Sequence, residues 1–164
     1  MPTHRTPTFA FMVADELPEL ADMMRRSFLA EFRRAEAAGE AELAPYMSSD
    51  TFFHRWLFGC VDIDRYTIRD GGQAIVGGMV VWRFEDAYNV LGLLFIDPDW
   101  QDAGVGRRAW QFLEATYPDT ARWSLRTPTW SGKNRYFYER VCGFQRVGES
   151  QGQAEYEKVP RVLQ

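Results

Sequence analysis

The segment Val90–Ile96, VLGLLFI, carries no polar side chain at any position, and this constrains the fold more than any other stretch. A strand with one wetted face alternates apolar and polar residues, whereas one without polar residues must be covered on both faces. Val90–Ile96 is therefore expected at the centre of a sheet with a layer on each side. Asp97–Asp99, DPD, breaks the run, and QDAGVG (Gln101–Gly106) leads into a helical pattern from about Gly104 to Thr116. Val105, Ala109, Phe112 and Leu113 form the apolar stripe of that helix, and Pro118 stops it.

The rest of the chain supplies the sheet around this strand. TFAFMV (Thr8–Val13) alternates as a first strand does, and Asp15 is placed to cap a helix carrying Leu17, Leu20, Met24 and Phe28. Gly39 in AAGE ends or breaks that helix. A second is expected from Ser48–Asp50, with Phe53, Trp56, Leu57 and Cys60 on one face. Arg65–Asp70 and Gln73–Phe84 read as a hairpin closed at Gly71-Gly72, and Glu85–Tyr88 is the next turn. Arg122–Thr127 is a further strand, Asn134–Cys142 a helix, and GFQRVGE and AEYEKV a closing pair of strands. The order predicts an α/β fold: a mixed, mostly antiparallel central sheet of about six to seven strands with helices on both faces.

The 164 residues suit one domain with one core, covering residues 1–164. A net charge of −4 argues against a broad nucleic-acid-binding surface, although Arg107-Arg108 could meet one small anion. No stretch approaches the roughly 18 apolar residues of a membrane helix, and the N-terminus lacks the apolar core of a secretory signal. Cys60 and Cys142 have no CxxC spacing and read as buried free thiols, in keeping with a reducing cytoplasm. His4 and His54 lie far apart in sequence, so no metal motif is visible and no metal is expected.

The glycine loop is the chemical signal. The first amides of a helix lack internal partners, and the helix dipole adds partial positive charge there. Gly104 and Gly106 remove side chains that would hold a phosphate away, so the loop reads as a phosphate cradle, or as a tight turn needing glycine only for its shape. A P-loop is not satisfied, because no lysine followed by Ser or Thr occurs in the segment. A dinucleotide fingerprint is not satisfied either: position 109 is alanine, and RWSLRT lacks the acidic ribose-binding residue.

The segment LLFIDPDWQDAGVGRRAWQFL resembles the acyl-CoA-binding core of the GNAT superfamily of N-acetyltransferases. That family's motif, Q/R-x-x-G-x-G/A after a strand ending in V/I-x-P, is met by Gln101, Gly104 and Gly106. NRYFYERVCGF (Asn134–Phe144) is similar to the family's N…YEK.GF helix and turn, and AIVGGMVV to its third strand. The element order matches from Thr8 to Val159. One spacing departs from the pattern. The family usually sets four positions between the tyrosine and glycine of the turn, whereas Tyr138 and Gly143 are five apart, which predicts a bulge in the helix end.

The resemblance implies acetyl-CoA as acyl donor and an amine of a small molecule or peptide as acceptor, and leaves a homodimer open. It also implies site residues. Leu94, Phe95 and Ile96 would offer backbone groups to the pantetheine arm, one N–H facing the thioester oxygen. Gln101 would stand at the mouth of the loop, and Asp102, Ala103, Gly104, Val105, Gly106 and Arg107 would contact the pyrophosphate. Asn134 would hydrogen-bond the arm, or alternatively cap its own helix. Tyr138 would protonate the departing thiolate, or serve only the aromatic core.

Neither VLGLLFI nor RWSLRT contains the glutamate that the family often uses as base, so the base stays unassigned; Asp97, Glu85 and His54 are weak substitutes. An acceptor amine of pKa about 10.4 is mostly charged at neutral pH, a handicap of roughly 4–5 kcal/mol. Tyr46, Phe52, Phe53, Trp56 and Trp130 suggest a flat or partly apolar acceptor, and the acidic balance favours a cationic one. The missing strand carboxylate also leaves open a non-catalytic acyl-CoA-binding domain on the same fold.

Overall fold

A computed structural model describes residues 6–37 and 62–160. Among these, seven strands form one sheet: β1 (Thr8–Phe11), β2 (Ile63–Arg69), β3 (Ile75–Phe84), β4 (Tyr88–Ile96), β5 (Arg122–Pro128), β6 (Gln145–Ser150) and β7 (Gln153–Lys158). Their spatial order is β1-β2-β3-β4-β5-β7-β6. All neighbours are antiparallel except β4 and β5. The expected mixed, mostly antiparallel sheet is thus observed, with β4 at its centre.

Among the described residues, three α-helices flank the sheet: α1 (Leu17–Ala37), α2 (Val105–Thr116) and the short α3 (Gly132–Tyr136). The alternation of each central strand divides the core in two. Val80 and Phe95 pack with Leu20, Met23 and Met24 of α1. Met79, Val81 and Leu91 face the opposite layer with Val105, Ala109, Trp110 and Leu113 of α2. Leu94 and Ile96 join that second layer while Phe95 points to the first, so β4 is apolar on both faces because both are covered.

Three local readings need correction. β1 stops at Phe11 instead of running to Val13, because the chain turns at Ala14–Glu16 into a 3-10 turn. Asp15 is not the cap of α1. The Val13 amide is instead satisfied at 2.9 Å by the carboxylate of Glu16, which Thr67 and Arg69 also hold. Trp110 belongs to the buried stripe of α2, and Phe112 is only partly buried, stacking on Phe9. The expected helix from Ser48–Asp50, with His54 and Cys60, lies outside the described residues, as do Tyr46, Phe52, Phe53 and Trp56.

Candidate active site

The site arises where two strands part. β4 and β5 pair only through Tyr88, Asn89 and Val90 with Arg122, Trp123 and Ser124. Beyond Val90, β5 continues against β7, so among the described residues the β5-facing edge of β4 from Leu91 to Ile96 has no strand partner. A bulge coincides with the parting: Val80 pairs with Leu93 and Val81 with Leu91, which leaves Gly92 unmatched. A bulged residue bends its strand and increases the local twist, and here it turns the end of β4 away from β5. An unpaired strand edge is a template for extended backbone-like ligands.

A cavity of about 400 Å³ fills this opening. Leu94, Phe95 and Ile96 form its β4 wall, and Gln101, Asp102, Gly104, Val105 and Gly106 of the loop and Asn134 and Tyr138 line the rest. Of the residues singled out in the sequence, Leu94, Phe95, Ile96, Gln101, Asp102, Gly104, Val105, Gly106, Arg107, Asn134 and Tyr138 line this one space. Ala103 does not; it packs against the core instead.

The two loop glycines differ in function. Gly104 is the N-cap of α2 with φ +83°, and a Cβ there would meet no atom within 4 Å. Backbone conformation requires glycine at this position, and the space above it is open to an anion. The first intrahelical bond, from the Arg108 amide to the Gly104 carbonyl at 3.1 Å, leaves the preceding amides of the turn without helical partners. A pyrophosphate fits such a terminus. Gly106, by contrast, would place a Cβ 3.2 Å from the Phe137 ring. It permits close packing of α2 on that ring, which modifies the expectation that both glycines simply clear room for phosphate.

Side chains fasten the loop to its surroundings. Gln101 donates to the Ile96 carbonyl at 3.1 Å and accepts from Lys133 at 2.9 Å. Arg107 is exposed at the rim, making no ion pair with a described residue. Lys133, which also approaches Asp102 at 3.4 Å, was not anticipated; its place one residue before Asn134 was the available signal.

On the far side, Ser131 caps α3 by accepting the Asn134 amide, so Asn134 is not its own cap. The Asn134 side chain instead donates to Thr127 of β5 at 3.2 Å. After Tyr136 the helix widens into a π turn, Phe137–Val141, closed by the Cys142 amide on the Phe137 carbonyl at 3.0 Å. This is the expected bulge, and it absorbs the fifth residue between Tyr138 and Gly143. It buries Tyr138 to 7% exposure against Phe137, Phe144 and Tyr156, while Tyr136 remains 65% exposed.

The Tyr138 hydroxyl makes no hydrogen bond to a described residue. Burial, reinforced by the nearby Cys142 thiol, pushes its pKa above the ordinary phenol range. Burial also pushes the Cys142 thiol up to about 12.

The acids weighed as substitute bases are occupied elsewhere. Asp97 accepts from the Asp99 amide at 2.9 Å and pairs with Arg26 at 3.3 Å, and Glu85 is an exposed turn residue; neither lines the cavity. Glu31 of α1 does, and it was missed, because helical spacing in the sequence marks Phe28 beside it as core without saying what α1 faces. Among the described residues no cluster of metal-ligating side chains occurs, and no helix is long and apolar enough to cross a membrane.

A strand edge opened beside a helix-terminal glycine loop suits an extended ligand that carries an anionic group, and known proteins show which class this is. Residues 21–144 match the sequence profile of the Acetyltransferase (GNAT) family. The chain belongs to that family, whose acyl donor is acetyl-CoA. It is 30% identical over 146 residues to the uncharacterized protein YrkN of Bacillus subtilis (strain 168), covering 88% of this chain and 77% of that protein. Its fold is similar to the PaiA N-acetyltransferase of Thermoplasma acidophilum in complex with coenzyme A (TM-score 0.74, 15% identity, 94% of this chain and 99% of the other). It is also similar to an acetyltransferase of Thermus thermophilus (TM-score 0.76, 20% identity, 96% and 99%).

Proposed function

We propose that this protein transfers an acetyl group from acetyl-CoA to a primary amine of a small molecule or peptide by direct attack of the amine on the thioester. The observation that carries this reading is the meeting, in one cavity, of the unpaired β4 edge, the N-terminus of α2 and the Tyr138 side chain. Acetyl-CoA supplies an acyl group already activated as a thioester. In this reading Leu94, Phe95 and Ile96 hold its arm through their backbone, and one of their amides stabilises the oxyanion. Gln101 and the amides and side chains of Asp102–Arg107 hold the phosphates, with Asn134 on the opposite wall. Ala103 contributes through its backbone only.

A neutral amine nitrogen attacks the thioester carbon and forms the new C–N bond. The C–S bond breaks as the thiolate takes a proton from Tyr138, and the proton shed by the amine nitrogen passes through water and restores the phenol. A raised pKa suits this in part: the phenol keeps its proton at neutral pH, as an acid must. The same burial makes the phenolate costly, so the proton moves late and its contribution falls at the lower end of the range for general acids. Two measurements test the reading together. Calorimetry with CoA should show binding, and thiol release from acetyl-CoA should depend on an added primary amine. CoA binding with no thiol release across a broad amine panel would make this a non-catalytic acyl-CoA-binding domain.

A further inference from the structure

Two strands that part still need to be held at one distance if a ligand is to lie between them. Among the described residues, β4 and β5 pair no further than Val90 with Ser124. Past Ile96, the β4 side continues into the glycine loop through Gln101, and α3 begins soon after β5 ends at Pro128. Lys133 of α3 crosses from the second segment to the first, donating to Gln101 Oε1 at 2.9 Å.

Lysine carries only donors, so it can hold only the oxygen of the Gln101 carboxamide. The carboxamide nitrogen is thereby turned the other way, where it donates to the Ile96 carbonyl at 3.1 Å and to Ser27 Oγ of α1 at 3.4 Å. That carbonyl lies on the opened edge of β4. The Asp97 amide bonds Val76 of β3 at 2.7 Å, and the polar groups of successive strand residues face opposite edges. On the β5 side, the neighbouring Asn134 donates to Thr127 at 3.2 Å. Ser131 fastens the start of α3 to Glu31 of α1 at 3.1 Å, so the Lys133 stem projects from a fixed base. A chain of bonds thus runs from Ile96 of β4 through Gln101, Lys133 and Asn134 to Thr127 of β5. Asp102 also approaches Lys133 at 3.4 Å, but it is 82% exposed and adds little.

We propose that Lys133 is a positioning residue: acting through Gln101, it fixes the width of the opening between β4 and β5 in which the pantetheine arm of the acyl donor lies. This rests on the reading of the cavity above and adds the residue that presets it. It also assigns the open edge. Gln101 occupies the Ile96 carbonyl, so the arm is received by the Ile96 amide and by Leu94, which faces the same side. The Gln101 side chain is committed to protein contacts, and what Gln101 lends the phosphates comes from its backbone.

Calorimetry tests this with two ligands: CoA, and adenosine 3′,5′-bisphosphate, which keeps the nucleotide and lacks the arm. Lys133→Met removes the donor and keeps the stem, on a side chain 32% exposed, so the variant should fold as the native protein does. CoA affinity should fall about tenfold, as loss of one hydrogen bond from a charged group does, and bisphosphate affinity less than about twofold. Equal losses on both ligands would make Lys133 a phosphate contact or a general prop, and no loss on either would leave the bridge without effect. Each result overturns the proposal.

A double-mutant cycle checks the route. Gln101→Leu should also weaken CoA about tenfold, and the double variant should be little worse than the worse single one, because both break one bridge. Losses that multiply to about a hundredfold would overturn action through Gln101. The cycle decides by CoA alone if the bisphosphate binds the native protein too weakly to titrate. None of these measurements needs an acceptor, so absence of thiol release with every amine would overturn acetyltransfer and leave Lys133 to be decided by binding.

Discussion

At one end of the cavity, Gln101–Gly106 gets its shape from backbone torsions; at the other, Ser131–Val141 gets its shape from a change of helical register. Asp102 and Gly104 both have positive φ, and the loop would offer its amides with almost any side chains at the intervening positions. The π turn acts oppositely. Widening by one residue there decides that Tyr138 is buried at the cavity while Tyr136 is exposed. Backbone-made sites tolerate change in composition and fail on conformation, whereas register-made sites fail when one side chain loses its functional group.

The largest expected effect tests the register. Tyr138→Phe keeps the ring among Phe137, Phe144 and Tyr156 and removes only the hydroxyl. We expect kcat to fall about a hundredfold with CoA affinity intact, the lower end for a general acid. Tyr136→Phe should be close to neutral. The reverse outcome would break the comparison by placing the acid on the exposed side of the π turn.

Next comes the loop conformation. Gly104→Glu meets no clash, since nothing lies within 4 Å of its Cβ. It nevertheless adds about 1 kcal/mol of left-handed strain and a charge of the wrong sign at the anion site. CoA affinity should fall about thirtyfold, or ~2 kcal/mol, in a protein that still folds. Unchanged affinity by calorimetry would show that the loop is only a turn.

A third expectation uses the buried thiol of Cys142, the residue whose amide closes the π turn. Burial raises the Cys142 pKa from 9.0 to about 12 in the folded state, against the pull of Lys158. Raised folded-state pKa values add stability that is complete below the unfolded value and is lost as pH rises through the folded one. Between about pH 9 and 12, stability should decline with a contribution from Cys142 of at most about 1.4 kcal/mol per pH unit. Denaturant titrations of Cys142→Ala should show a correspondingly shallower slope. An identical slope would mean that the turn admits water.

The smallest effect falls on the contact between the two regions. Gly106→Ala places a Cβ 3.2 Å from the Phe137 ring, which must shift by a few tenths of an ångström. The helix gains from losing a glycine, so the net change in stability should stay under about 1 kcal/mol. A loss well above that, read from thermal unfolding, would show that the Phe137 ring is fixed in place and that loop and π turn form one rigid unit.

Much of this was legible in the chain itself. Val90–Ile96 announced a strand covered on both faces, because no polar side chain was available to meet water. Gly104, standing before an amphipathic stretch, announced a helix terminus with free amides, because that geometry depends on neighbours in sequence. The five-residue spacing from Tyr138 to Gly143 announced a bulge. All three are local, and local sterics and hydrogen bonding decide them.

Other features were decided only by the tertiary structure. The parting of β4 from β5 depends on the pairing of β5 with β7, formed some thirty residues later in the chain. The carboxylate that caps the Ala14–Glu16 turn ahead of α1 belongs to Glu16, which Thr67 and Arg69 on β2 hold in place. Gly106 is needed for a ring that the π turn delivers, and Glu31 enters the cavity because Ser131, far along the chain, meets it there. Periodicity in the sequence determines which face of a helix is apolar. Which polar residue at the margin of that face meets a cavity depends on contacts between distant segments, and only the folded chain brings those together.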